Sequence, residues 1–161
     1  MRKLIRITLF LVLISLCGAT SARAGGVIEG SVGKGGRVNE PRGWEPTNVM
    51  FAPGYEFLGL LRAQLGLVGD LADVKNSKFD LELRPMLGIY PPILPLYARA
   101  IFAFENLLHT SHVGMGGAVG LKIGLPFIGL GIFAEAGVLP RFVESRTQTV
   151  VEGRVGGYWV F

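Results

Sequence analysis

The residues able to do chemistry fall into two groups. The smaller is the stretch HTSH, which sets His109, Ser111 and His112 close together and is the one foothold for hydrolysis. The larger is a set of charged side chains spread along the chain: Glu29, Glu56, Asp70, Asp80, Glu82, Glu105, Glu135 and Glu152, with Arg62, Arg84, Arg99, Lys122 and Arg154. One pair of these carboxylates would suffice for acid–base work. With so many arginines among them, the simpler expectation is mutual pairing, because charges withdrawn from water persist only when paired and hydrogen-bonded. Metal chemistry has no foothold: the two histidines lie three apart, with no neighbouring cysteine or carboxylate. GKGGR around Lys34 looks suited to phosphate but lacks the full P-loop spacing and a following helix, so strand or strand end is expected there. No cofactor is expected.

What positions the charges is a period of two. In KFDLELRPMLGIY, Phe79, Leu81, Leu83, Leu87 and Ile89 share one face, while Asp80, Glu82, Arg84, Met86 and Tyr90 take the other. TQTVVEGRVGGYWVF sets Val151, Val155, Trp159 and Phe161 against Glu152, Arg154 and Tyr158. The same alternation runs through NVMFAPGYEF, LRAQLGLVGDL, LYARAIFAFE, HVGMGGAVGLKI and FIGLGIFAEAGV. The first such stretch, VIEGSVGKGGRV, is glycine-rich and less regular. Lys34 falls on its apolar parity, which predicts a β-bulge there. Eight strands result, each near the roughly 9–11 residues of a tilted membrane strand.

The connections alternate in length. Those after the second, fourth and sixth strands are LG, PPILP and LPF. The others are longer and more polar and are expected over 39–47, 72–78, 106–111 and 139–146. A soluble sandwich would also hide one face of each strand. It has no reason to alternate its loops so regularly or to place charges at the middle of nearly every strand. A closed barrel in lipid accounts for both, with an apolar outside and a polar inside. The inside of an eight-stranded barrel is just wide enough for side chains to fill. The expected lumen is therefore a salt-bridge plug, with a narrow ion or solute path as the rival reading. Glycines of the lumen face (Gly114, Gly116, Gly120, Gly129, Gly131) leave room beside the long charged residues. Trp44, flanked by Pro41 and Pro46, is expected at the membrane interface or at a recognition tip.

The N-terminus sets the compartment. MRKLIR is basic, ITLFLVLISLC is apolar, and SARA is a small-x-small cleavage site, so residues 1–24 are expected to be a cleaved signal peptide and 25–161 the barrel. The apolar run is too short to span a bilayer as a helix. Leu16 before Cys17 does not fit a lipoprotein site. The signal carries Arg2, Lys3, Arg6 and Arg23; without them the sixteen basic residues fall to twelve, equal to the twelve acidic ones. That neutrality removes the basis for a nucleic-acid partner.

Together the leader, the strand count, the loop asymmetry and the terminal YWVF resemble the small eight-stranded outer-membrane barrels of the OmpA/OmpX-type class, over the whole of 25–161. The resemblance implies an all-β, up-and-down transmembrane barrel in the bacterial outer membrane, monomeric and surrounded by outer-membrane lipid and lipopolysaccharide. It also implies that Phe161 and Trp159, with apolar residues at alternate positions before them, are read by the barrel assembly machinery. Gly157 and Gly153 are weaker than the large residues usual there. HTSH is similar to the His-x-Ser motif of outer-membrane lipid A deacylases, which would make His109 the base and Ser111 the nucleophile. That pattern continues with Asn, where this chain has His112, and its acid is missing near Ile123, so Glu135 or Glu105 would have to substitute. The expectation is a non-enzymatic structural or surface-contact barrel.

Overall fold

The computed structural model describes residues 24–39, 41–71, 81–105, 107, 112–125, 128–143 and 146–161. The leader before Ala24, Asp80, His109 and Ser111 lie outside the described residues, and so does most of the expected 72–78 and 106–111 loops.

Period-two alternation becomes eight long strands: β1 Gly25–Arg37, β2 Asn48–Phe57, β3 Leu61–Asp70, β4 Leu81–Ile89, β5 Leu96–Glu105, β6 His112–Gly124, β7 Leu130–Val143 and β8 Arg146–Val160. Each pairs antiparallel with its neighbours in sequence. β1 then pairs with β8 from Val27↔Val160 to Arg37↔Val150, which closes the ring. Closure satisfies both flanks of every strand and leaves no edge. An additional two-residue strand, Gly43–Trp44, folds back from the first loop onto Gly36 and Arg37.

Burial alternates strictly along most strands. The outward rows are mostly Val, Leu, Ile, Phe, Ala, Gly and Pro, with Met115 on β6, Thr147 and Thr149 at the loop end of β8, and Trp159 and Tyr55 near the short-turn end. Among the described residues of the eight strands, Lys34 is the one charged side chain on an outward row. The bulge expected there is absent: Gly33↔Arg154, Lys34↔Gly153 and Gly35↔Glu152 run without interruption. At its outward place Lys34 has a partner, since its ammonium lies 5.6 Å from the centre of the Trp44 ring.

The expected loop over 139–146 is also corrected. β7 runs on through Pro140–Val143, paired with Thr149–Arg146, and only 144–145 join the two strands. The period continues under the polar composition, with Leu139 buried and Phe142 exposed. β1, β6, β7 and β8 therefore run to 13–15 residues, longer than the expected strands. Between β2 and β3 the turn is tight: Leu58 and Gly59 have φ of 56° and 62°, and the Leu60 amide donates to the Phe57 carbonyl at 3.0 Å.

The inside is not wholly polar. Met50, Ala52, Val68, Met86, Ile101, Ala103, Ala118 and Leu139, contributed by β2 to β7, form a buried apolar wall. The charged side chains pack against it.

Candidate functional site

The lumen is filled in levels. At the loop end Arg37 pairs with Glu45 at 2.8 Å. Arg141 of β7 reaches the same Glu45 at 3.5 Å and Glu82 of β4 at 4.0 Å, and also pairs with Glu105 of β5. These residues, with Asp70, His112 and Gln148, line an open cavity of about 280 Å³.

Beneath the cavity the charges close in. Arg84 joins Glu82 to Glu152, the latter at 2.8 Å. Arg154 pairs with Glu152 and donates to Asn48 Oδ1 at 2.7 Å and Ser31 Oγ at 3.2 Å. Farther down, Arg154 lies 3.8 Å from Glu135, and Arg99 joins Glu135 to Glu29, the latter at 2.9 Å. The Gln64 amide donates to Glu29 at 3.1 Å and the Tyr97 hydroxyl to Glu135 at 2.9 Å. Signs thus alternate without a break from Arg37 through Glu45, Arg141, Glu82, Arg84, Glu152, Arg154, Glu135 and Arg99 to Glu29. A cavity of only about 10 Å³ remains among Arg84, Glu135, Glu152 and Arg154, room for at most one water.

At the short-turn end the filling is aromatic. Tyr90 and Tyr97 stack with ring centres 4.6 Å apart, and Phe133 meets Tyr97 edge-on at 6.3 Å. Arg62 pairs with Glu56 at 2.6 Å and lies over the rings of Tyr90, at 4.2 Å, and Tyr158, at 5.1 Å. Lys122 donates to the Tyr90 carbonyl at 3.3 Å.

The structure brings Glu29, Glu82, Arg84, Arg99, Glu135, Glu152 and Arg154 into one connected network and sets Glu56 with Arg62 at the short-turn end. Glu105 joins through Arg141. Asp70 stands at the cavity wall. Sequence reasoning missed Arg37, Glu45 and Arg141, because all three were assigned to loops or loop margins. The available signal was parity: Arg141 lies two and six positions beyond Leu139 and Glu135 on one inward row. The lumen glycines also have a sharper role than open space. A Cβ at Gly120 would lie 2.5 Å from the Tyr97 ring, and one at Gly131 would lie 2.3 Å from that of Tyr158. Each of these two glycines is the seat of a tyrosine.

Chemically the arrangement neutralises and cross-links. Each carboxylate of the network faces at least one guanidinium, so opposite charges meet and tie neighbouring strands together. Among the described residues no group of three or more His, Cys, Asp or Glu is set to hold a metal. At the chain end, the Phe161 amide donates to the Gly26 carbonyl at 3.0 Å, and the Trp159 and Phe161 rings lie 4.9 Å apart on the outer wall.

A closed eight-stranded antiparallel ring with an apolar outer wall and a charged, packed lumen defines a small transmembrane-type β-barrel of the OmpA-type architecture. Among solved structures it is similar to the N-terminal β-barrel domain of Pseudomonas aeruginosa OprF, with a TM-score of 0.52 and 10% identity over 85% of this chain and all of that one. It is likewise similar to a de novo designed transmembrane β-barrel, with a TM-score of 0.51 and 16% identity over 88% of this chain and all of that one. At these identities the likeness is one of fold. No protein-family model matches the sequence, and no curated protein does.

Proposed function

We propose that this protein is a monomeric outer-membrane barrel with a non-enzymatic, structural or surface-contact role. Residues 1–24 carry it across the inner membrane, its short turns face the periplasm, and its outer wall contacts lipid and lipopolysaccharide. The observation that carries this reading is the unbroken alternation of charge from Arg37 to Glu29, which crosses the lumen with side chains of opposite sign in contact. The closed ring supports the monomer, since it leaves no strand edge for a second copy. Phe161, stitched to Gly26 beside the outward Trp159, is the signal offered to the assembly machinery.

The rival is a narrow pore, favoured by the open cavity of about 280 Å³ at the loop end. Conductance of the refolded protein in a planar bilayer separates them. The plugged barrel gives no steady unitary steps, and their appearance would overturn the reading. Membrane insertion is checked by heat-modifiable gel mobility and β-type circular dichroism in detergent; a water-soluble monomer without detergent would sink it. The hydrolase reading of His109 and Ser111 is tested on the same preparation by release of fatty acid from lipopolysaccharide. Release that is lost in Ser111→Ala would replace the non-enzymatic assignment.

A further inference from the structure

Lys34 is out of place on a wall made for hydrocarbon. Its outward neighbours on β1 are Val32 and Gly36, and across the seam it faces Gly153 of β8. Nothing lies within 4 Å of where a Gly153 side chain would begin, so the outer surface is open at that point. Above it the Gly43–Trp44 strand stands off the barrel, with the Trp44 ring over Gly36 and 79% exposed. Gly36, Val38, Trp44 and Val151 line a groove under this flap, and Arg42 is exposed at its lip. Arg37, which also borders the groove, is already engaged by Glu45. No described carboxylate pairs with Lys34 or Arg42.

Arg42 lines this groove beside the exposed Trp44, and the Lys34 ammonium adjoins it at 5.6 Å from the Trp44 ring. Two cations that no described carboxylate pairs thus border one largely apolar groove on the outward side of the loop end. We propose that this groove binds a phosphorylated, acylated lipid of the surrounding leaflet. Its phosphate lies between Lys34 and Arg42, and an acyl chain runs beneath Trp44 over Gly36, Gly153 and Val151. Charge complementarity selects the occupant. A zwitterionic headgroup brings its own cation to a site that already holds two, whereas a phosphate monoester supplies the missing anion in charge-assisted contacts. An aqueous phosphate ion would satisfy the cations but leave the groove and the Trp44 face unfilled. The inference rests on the reading that the loop end lies in the outer leaflet.

The test uses the full barrel purified in mild detergent and offered bis-phosphorylated hexa-acyl lipid A, its dephosphorylated form, phosphatidylcholine or inorganic phosphate. Retained lipid is counted by native mass spectrometry, and Trp44 emission is followed in a Trp159→Phe background. The phosphorylated lipid should be retained about tenfold more than either other lipid, and Lys34→Gln with Arg42→Gln should remove about that factor. Millimolar inorganic phosphate should neither displace it nor shift Trp44. Equal retention of the dephosphorylated lipid, indifference to the double substitution, or displacement by inorganic phosphate would each overturn the proposal. Heat-modifiable mobility of the same variant separates failure of the groove from failure of the barrel.

Discussion

Arg99 on β5 donates a 2.9 Å hydrogen bond to Glu29 on β1, the strand diametrically opposite it in the ring. Both side chains are almost wholly buried, and Glu29 also accepts from Gln64 on β3. The pair braces the barrel across its full width.

Removing one end of that brace should be costly. Glu29→Ala leaves Arg99 with Glu135 alone and should destabilise the barrel by about 3–5 kcal/mol. Glu29→Gln keeps an acceptor and should cost about 1–2 kcal/mol. Urea unfolding in lipid vesicles, followed by loss of the compact gel band, measures both. Equal losses for the two variants would mean that the charge of Glu29 is immaterial.

Arg154 separates the loop-end cavity from the small space beneath it, since Glu152 lines both and Arg154 holds Glu152, Asn48 and Ser31 together. Arg154→Ala should join them and give brief conductance events where the parent gives none. A silent bilayer for the variant would place the barrier lower, at the tyrosine layer.

The seat of Tyr158 at Gly131 makes a second kind of prediction. Gly131→Ala forces the ring aside and should cost about 1–3 kcal/mol, and Gly120→Ala should act likewise on Tyr97. In a Tyr158→Ala background the Gly131→Ala cost should largely vanish, a coupling that a double-mutant cycle reads directly. Additive losses would dissociate the glycine from the ring.

Leu58 pays for a left-handed backbone that its side chain disfavours, next to a second left-handed residue, Gly59. This is the geometry in which Asn-Gly excels. Leu58→Asn should therefore stabilise the β2–β3 hairpin by about 1 kcal/mol, seen as a higher urea midpoint. A loss would show that Leu58, 64% exposed, contributes more as a lipid contact than it costs in strain.

The period of two was enough to set the mid-strand charges, from Glu29 on β1 to Arg154 on β8, on one face of their strands, because parity needs only the local pattern. It failed where composition argued against it. Pro140, Arg141 and the polar residues after them suggested a loop, yet the row of Phe133, Glu135 and Leu139 continues straight into Arg141. Lys34 suggested a bulge because nothing local announces Trp44, ten residues on, as its cover. The partners within the lumen were not legible at all. Which arginine meets which carboxylate depends on the stagger of strands across the ring, and that is a property of closure. The apolar wall of Met50, Val68, Met86 and Ile101 was hidden for the same reason: each is a single residue among polar ones until six strands bring them side by side.

The near absence of charge on the outward rows has a consequence for how the chain finds its pairing. Each of the eight strands carries at least one acidic or basic residue on its inward row, from Glu29 on β1 to Glu152 and Arg154 on β8. Sliding any strand by a single residue exchanges its two faces and delivers that charge to hydrocarbon. Near the midplane an arginine or lysine there costs about 2–4 kcal/mol, and several slipped strands multiply the penalty. The lipid itself thus acts as a proofreader, rejecting wrong alignments before the lumen contacts need to form.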